Sequence, residues 1–221
     1  MKLPQLYDIF REKWEQFQTA HIISDTHFGD KDLQANIKDI PNDEDYVKLI
    51  NSKVGKNDLL ICLGDVGDIE YARRLKGYKI LIAGNHDAGM SNYKDIFDEI
   101  YAGALIVGEK LILSHEPVDV PWAFNIHGHT HSGVPMSDER HFNVCGEARK
   151  CYEPVNLNQF IKSGFMAKVQ TIHRDVINKA TKRARKRGKK NDIINNDIFT
   201  YNRRLLSSGY SRSDETEEIL E

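Results

Sequence analysis

Three cysteines, Cys62, Cys145 and Cys151, are the only thiols in 221 residues. An odd number with no close pair builds neither a disulfide framework nor a thiolate metal cluster, and suits reduced thiols in the cytoplasm with a structural role. Long apolar runs are missing too. No stretch approaches the length of a membrane span. The opening Met1-Lys2-Leu3-Pro4 reaches Asp8, Arg11 and Glu12 without the uninterrupted apolar segment of a signal peptide. A cytoplasmic protein without a membrane segment is therefore expected. An excess of one charge is also lacking: 31 Lys and Arg against 33 Asp and Glu leave a formal −2. The chain as a whole is neither a polyanion nor an evident nucleic-acid binder. No internal repeat is visible. What remains is 40% hydrophobic residues, enough at this length for one ordinary core plus appendages and too little for two large domains.

Leu3, Leu6, Phe10, Trp14 and Phe17 recur at three- and four-residue intervals, which predicts an amphipathic helix running to about Gln18. Short β-branched and aliphatic runs follow at 21–23, 59–63 and 80–83, each of strand length and each closed by a polar or glycine-rich turn. Between the first two, Asp43 to Val54 starts acidic, carries apolar residues at helical spacing and ends at Gly55, a C-cap signal. Tyr93 and Phe97 share helical spacing within 91–100 and read as core. Leu105-Ile106-Val107 and Leu111-Ile112-Leu113, separated by Gly108-Glu109-Lys110, predict a hairpin. Shorter strands are expected at 124–127 and 141–144. Alternating elements followed by hairpins imply a mixed sheet system covered by helices. We expect a catalytic domain over 1–161, including the N-terminal helix, and a helical basic extension with an acidic, flexible tail over 162–221.

The residues able to bind metal fall at the ends of those strands. Asp25 and His27 follow the first, Asp65 the second, Asn85-His86-Asp87 the third, His115 the 111–113 run, and His129 and His131 the run at 124–127. Strand ends are where α/β sheets place ligands. In an extended segment, side chains two residues apart point the same way, so each Asp-x-His or His-x-His pair can address one ion or two adjacent ions. Carboxylates, imidazoles and an amide oxygen, with no thiolate, suit Mn, Fe or Zn. Two such ions about 3.5–4 Å apart need one bridging carboxylate, and Asp65 is the natural bridge. The chemistry then available is attack by a metal-bound hydroxide on a phosphate ester. His86 would be the general acid toward the leaving oxygen, and Asp68 would orient it. Asp87 has two open readings, a partner bonding behind the ligands or a local turn cap.

The ordered blocks Asp25-Thr26-His27, Gly64-Asp65-Val66-Gly67-Asp68, Gly84-Asn85-His86-Asp87, His115 and Gly128-His129-Thr130-His131 resemble those of calcineurin-like metallophosphoesterases. Each block alone is a weak signal; five in family order are specific. The resemblance covers roughly residues 20–160 and implies a four-layer α-β-β-α sandwich with two mixed sheets. It implies Asp25, His27, Asp65 and His131 on one metal, Asp65, Asn85, His115 and His129 on the other, and Asp68 with His86 as the acid pair. Ile69 and Asp87 depart from the Arg and Glu that this family's Ser/Thr protein phosphatases carry there. The sequence is thus more similar to the small, uncapped bacterial and phage-type phosphoesterases.

The remaining histidines, His21, His127, His141 and His173, are read as hydrogen-bonded or surface residues, and Trp122 and Phe124 as packing. From Lys179 to Lys190 eight cations stand without an acid, which makes either a solvated helix end or a clamp for a nucleic-acid backbone. Function is accordingly read as a two-metal phosphoesterase acting on a monoester or diester of a small molecule or nucleotide. The alternatives are a nuclease that grips its substrate through 179–190, and a nucleic-acid- or protein-binding module without turnover.

Overall fold

The computed structural model describes residues 1–169 apart from Pro4, Lys38 and Ala88. These residues lie in a unit that runs Met1–Ile172, and the remainder of the chain is His173–Glu221. The expectations for the basic run at 179–190 and the acidic tail fall outside the described residues, as does His173. No described helix is long and apolar enough to cross a membrane.

The elements in order are α1 (Asp8–Trp14), β1 (Ala20–Ile23), α2 (Lys31–Asn36), α3 (Asp43–Lys53), β2 (Leu59–Cys62), α4 (Ile69–Arg73), β3 (Tyr78–Ile82), β4 (Glu99–Tyr101), β5 (Leu105–Gly108), β6 (Leu111–Leu113), β7 (Phe124–His127), β8 (His141–Asn143), α5 (Gly146–Arg149), β9 (Val155–Asn156) and α6 (Leu157–Lys162). They form two mixed sheets. The larger has the order β4-β3-β2-β1-β9, with β1 to β4 parallel and β9 antiparallel to β1. The smaller has the order β5-β6-β7-β8, where β5 and β6 are the predicted hairpin and β6, β7 and β8 run parallel.

Period-2 alternation sorts the larger sheet's side chains into two cores. Ile22, Leu59, Ile61, Ile80 and Ile82 face the smaller sheet's Leu111, Leu113, Phe124 and Ile126 in the central core. Ile23, Leu60, Cys62 and Leu81 face outward under Tyr46, Val47 and Ile50 of α3 and Ala72 of α4. Full burial of each such side chain contributes roughly 1.5–3 kcal/mol. The result is the two-sheet sandwich of the resemblance, with α3 and α4 over the outer face of the larger sheet. Outside the smaller sheet, the cover among the described residues is made by loops, with Val118 and Val120 bonding to Asn125, Arg140 and His141.

Three expectations need correction. The N-terminal helix is shorter than 3–18: it begins at Asp8 and its last residue is Trp14. Leu6 bridges Gly108, and the Tyr7 N–H donates to Val107 O, so the first residues extend the edge of β5, where backbone pairing outweighs helical periodicity. Leu3, Leu6 and Trp14 nonetheless reach the central core. Residues 91–100 are not one helix but a single 3₁₀ turn at Met90–Tyr93 followed by β4, although Tyr93 and Phe97 are buried as expected. In α3 the cap is Val54, in extended conformation, rather than Gly55, while Asn42 caps the N-terminus by accepting from the Asp45 N–H. Beyond α6, Met166 and Val169 pack into the central core.

Candidate metal centre

Beyond the last residues of β1 and β2 the two chains stay zipped together. The Asp25, His27 and Phe28 N–H groups donate to the carbonyls of Gly64, Asp65 and Val66, and the Asp68 N–H returns a bond to Phe28 O. This pairing turns the backbone over, and Asp25 (φ 52), His27 (φ 40) and Asp65 (φ 52) take left-handed conformations, as does His129 (φ 67). Left-handed backbone at non-glycine residues costs roughly 1 kcal/mol each and concentrates at functional sites. Of the six such residues among those described, these four are sequence-predicted ligands. Glycine is required where the crest is tightest. A Cβ on Gly64 would lie 2.6 Å from Gly84 Cα and from His115 Nδ1, and one on Gly84 would overlap the Asp65 carboxylate.

The seven predicted ligand side chains are brought together as two adjoining groups. Asp25, His27 and His131 offer one set of ligand atoms within 4.8 Å of one another, and Asp65, His115 and His129 offer a second. Asp65 Oδ2 lies between them, 3.6 Å from His27 Nε2 and 3.3 Å from His115 Nε2. Asn85 Oδ1 joins the second group, 2.9 Å from His115 Nε2 and 3.1 Å from His129 Nδ1. Ligand atoms sharing one ion at bond lengths of about 2.1 Å stand about 3–3.5 Å apart, so these separations fit metal binding without rearrangement. His27 Nε2, buried and without a hydrogen-bond partner, is an orphan that an ion would satisfy.

Charge at the site is divided unevenly. Burial raises the Asp25 carboxyl above its ordinary range, and nearby His115 and His131 offset this only in part. Burial works against ionised Asp65 as well, but bonds from His115 and the His86 N–H outweigh it and hold that carboxyl low. Burial lowers His27. His115 is also opposed by burial, yet its contacts with Asp65 bring it above the usual imidazole value. Glu147 raises His131, with burial opposing.

Asp87 resolves in favour of both readings. Its Oδ2 accepts from the Gly84 N–H, closing the local turn, and from the Asp65 N–H, while Oδ1 accepts from the Val66 N–H and the Tyr93 hydroxyl. One buried carboxylate thus pins the turn of β2 to that of β3. His86 is exposed, with its N–H donating to Asp65 Oδ1 and its ring centroid 5.4 Å from that of His27. Asp68 Oδ1 accepts from the Glu70 N–H and caps α4, and no hydrogen bond joins it to His86. Phe124 is core rather than pocket wall, fully buried between the sheets.

The sequence reading missed Glu147. Its Oε1 lies 3.5 Å from His131 Nδ1, and its Oε2 accepts from Cys145 Sγ. Burial opposes its charge, but His131 and Cys145 hold the carboxyl below its ordinary value. The available signal was an acid in α5, shortly after the end of β8, but it lacked the paired spacing of the other blocks. Cys145 itself is buried and its thiol pushed far up by that burial, which agrees with a structural reading.

A two-sheet sandwich whose strand ends converge carboxylates and imidazoles in two adjoining groups defines a protein with the ligand types of a metal site at its crest. The family model for calcineurin-like phosphoesterases matches residues 19–144, more than half of the chain, and the protein belongs to that family. Among solved structures it is similar to the Aquifex aeolicus protein AQ665, whose function is described as unknown, with 25% identity and a TM-score of 0.54 over 65% of this chain and 98% of the other. Weaker likenesses are the nuclease MPE of Pseudomonas putida (21% identity, TM-score 0.39, 53% of this chain and 64% of the other) and the Escherichia coli phosphoesterase YfcE (20%, 0.36, 58% and 78%). No curated protein matches the sequence.

Proposed function

We propose that this protein is a two-metal phosphoric ester hydrolase acting on a monoester or diester of a small molecule or nucleotide. The observation that carries the reading is Asp65 Oδ2 standing between the two ligand groups, within 3.6 Å of an imidazole in each. Asp25, His27, Asp65 and His131 would hold one ion, and Asp65, Asn85, His115 and His129 the other. Mn suits this oxygen and imidazole set, with Fe or Zn as alternatives. Bound there, a pair of divalent cations supplies Lewis acidity, polarising the phosphoryl oxygen and making water acidic enough to attack at neutral pH.

The chain's own groups do the rest. The Gly84 and Asp87 turn fixes Asn85 and His86, and the His86 N–H is committed to Asp65, which leaves the imidazole at the exposed mouth. From there a ring nitrogen can give its proton to the leaving oxygen. Asp68 caps a helix instead of binding His86, so its assistance would be through charge alone. A cleft of about 310 Å³ opens beside Asn85 and His115, floored by Gly84, Ala102, Gly103 and Ala104. Its size suits a compact organic group on the ester.

The eight cations of 179–190 favour a second reading, a nuclease with a backbone grip. Metal-stripped protein resupplied with Mn, offered a chromogenic diester, a matched monoester and single-stranded nucleic acid, distinguishes the two. Truncation after Ile172, which keeps the whole of the first unit, spares the chromogenic esters under the first reading and removes polynucleotide cleavage alone under the second. No Mn-dependent turnover on any substrate would support a binding module and sink the proposal.

A further inference from the structure

Two buried atoms face one another with nothing else to bond. His131 Nδ1 and Glu147 Oε1 are 3.5 Å apart, and neither has a hydrogen-bond partner. The Glu147 side chain is only 6% exposed, and a carboxylate so removed from water is costly unless a donor or a cation meets it. Its other oxygen, Oε2, accepts from Cys145 Sγ at 2.8 Å. On the opposite side of the imidazole, His131 Nε2 points at Asp25 Oδ1, 3.8 Å away, within the Asp25, His27 and His131 group. The ring therefore has one nitrogen toward the metal position and one toward a buried acid. The turn that carries the acid is held down, since a Cβ on Gly146 would meet the Tyr152 ring, with Cε1 at 2.6 Å.

We propose that Glu147 is a positioning residue for His131. Its carboxylate accepts the Nδ1 proton, which fixes the tautomer that leaves the Nε2 lone pair free for the ion shared with Asp25 and His27. Cys145 orients the carboxylate by donating its S–H to Oε2. Outer carboxylates of this kind orient ligating imidazoles and raise their basicity. The proposal rests on the two-metal reading of the site.

The same three side chains, His131, Cys145 and Glu147, could instead hold an ion of their own, since their ligand atoms lie within 4.8 Å of one another. The spacing argues against it. Sulfur and oxygen ligands of one tetrahedral zinc, at about 2.3 and 2.0 Å from it, stand about 3.5 Å apart. Cys145 Sγ and Glu147 Oε2 are 2.8 Å apart, well inside that separation, so the pair shares a proton rather than an ion.

Two measurements on the full chain test the proposal. Calorimetric titration of Mn into metal-stripped wild type, E147A, E147Q and C145S reads each site's affinity. Wild type is expected to bind two ions. E147A should lose about 10–100-fold at one site and leave the other unchanged. E147Q, whose amide oxygen can still accept the Nδ1 proton, should recover most of that loss. Nitrogen-15 imidazole spectra of zinc-loaded wild type should show His131 protonated at Nδ1 and metallated at Nε2, a readout that stands even if E147A fails to fold. Wild-type affinity in E147A, equal weakening of both sites, the reverse tautomer, or a third ion lost in C145S would each overturn the proposal. Wild type that binds no metal overturns the two-metal reading as well, whereas two tightly bound ions with E147A unaffected overturn this inference alone.

Discussion

Buried histidines and polar side chains gather in two regions of this protein, and the two are built on opposite terms. Behind the smaller sheet, His141 Nδ1 contacts both oxygens of Asp138, at 2.7 and 2.9 Å, and its Nε2 lies 3.3 Å from Val118 O. Asn125, fully buried, donates to Ser114 Oγ and Ile112 O and accepts from the Val118 N–H, while His127 Nδ1 donates to Gly128 O. Each named contact is met inside the protein. At the crest of the sheets, by contrast, imidazoles and carboxylates crowd against one another, His27 Nε2 has no partner, and the backbone is held left-handed at four of the residues involved. Burial of a polar group thus says little about function by itself. An unpartnered buried atom alone does not make a site either, since His21 Nδ1 has none; the crest is set apart because unspent hydrogen-bonding capacity there coincides with crowded carboxylates and imidazoles on left-handed backbone.

That contrast breaks most sharply at Asp65. Asp65→Ala removes the oxygen between the two groups, and Mn-dependent hydrolysis should fall to background while bound metal drops below two per chain, measured by turnover and metal content together. Retention of both would mean that the crest is scaffold too. His86→Asn should lower kcat by about 10²–10⁴-fold with metal content unchanged, as expected for loss of a general acid. A parallel loss of metal would move His86 into the ligand set instead.

Proton competition is the next largest effect. His115 and His131 hold protons more firmly than the unperturbed imidazole value of 6.5, and metal binding must displace those protons. Metal affinity should therefore fall as pH drops through values above 6.5, by about tenfold per pH unit for each proton displaced. Titrations in buffers of different ionisation enthalpy would show the proton release, and a pH-independent affinity would rule it out. In the metal-free fold the signs run both ways. The stabilisation from raised His115 and His131 is complete below 6.5 and is lost as pH rises through their folded values. That from lowered Asp65 and Glu147 is present above the ordinary carboxylate range and is lost as pH falls through theirs.

The smallest effect on the site should come from the satisfied region. Asn125→Ala leaves the Val118 N–H without its acceptor and takes a donor from Ser114 Oγ, and should cost about 1–3 kcal/mol of stability in denaturant unfolding. Metal affinity and kcat should remain at wild-type values. A change in either would show that the back face communicates with the crest and that the two regions are not independent.

The sequence by itself determined the strands, the turns that close them and the ligand types those turns carry. Short β-branched runs and the glycine and acid residues after them are local signals, and the residues proposed as ligands, Asp25, His27, Asp65, Asn85, His115, His129 and His131, stood out for that reason. Tertiary structure decided what depends on partners distant in the chain. The first residues became an edge extension because Val107 and Gly108 offered backbone to pair with, which no helical period can reveal. Asp87 became the pin of two turns through N–H groups 21 and 22 residues away. Glu147 gained significance only when the fold set it against His131, and His127 and His141 became scaffold only when loops closed over them. Periodicity and spacing encode the shape of each segment, but whether a buried polar atom finds a partner is a property of the packed whole.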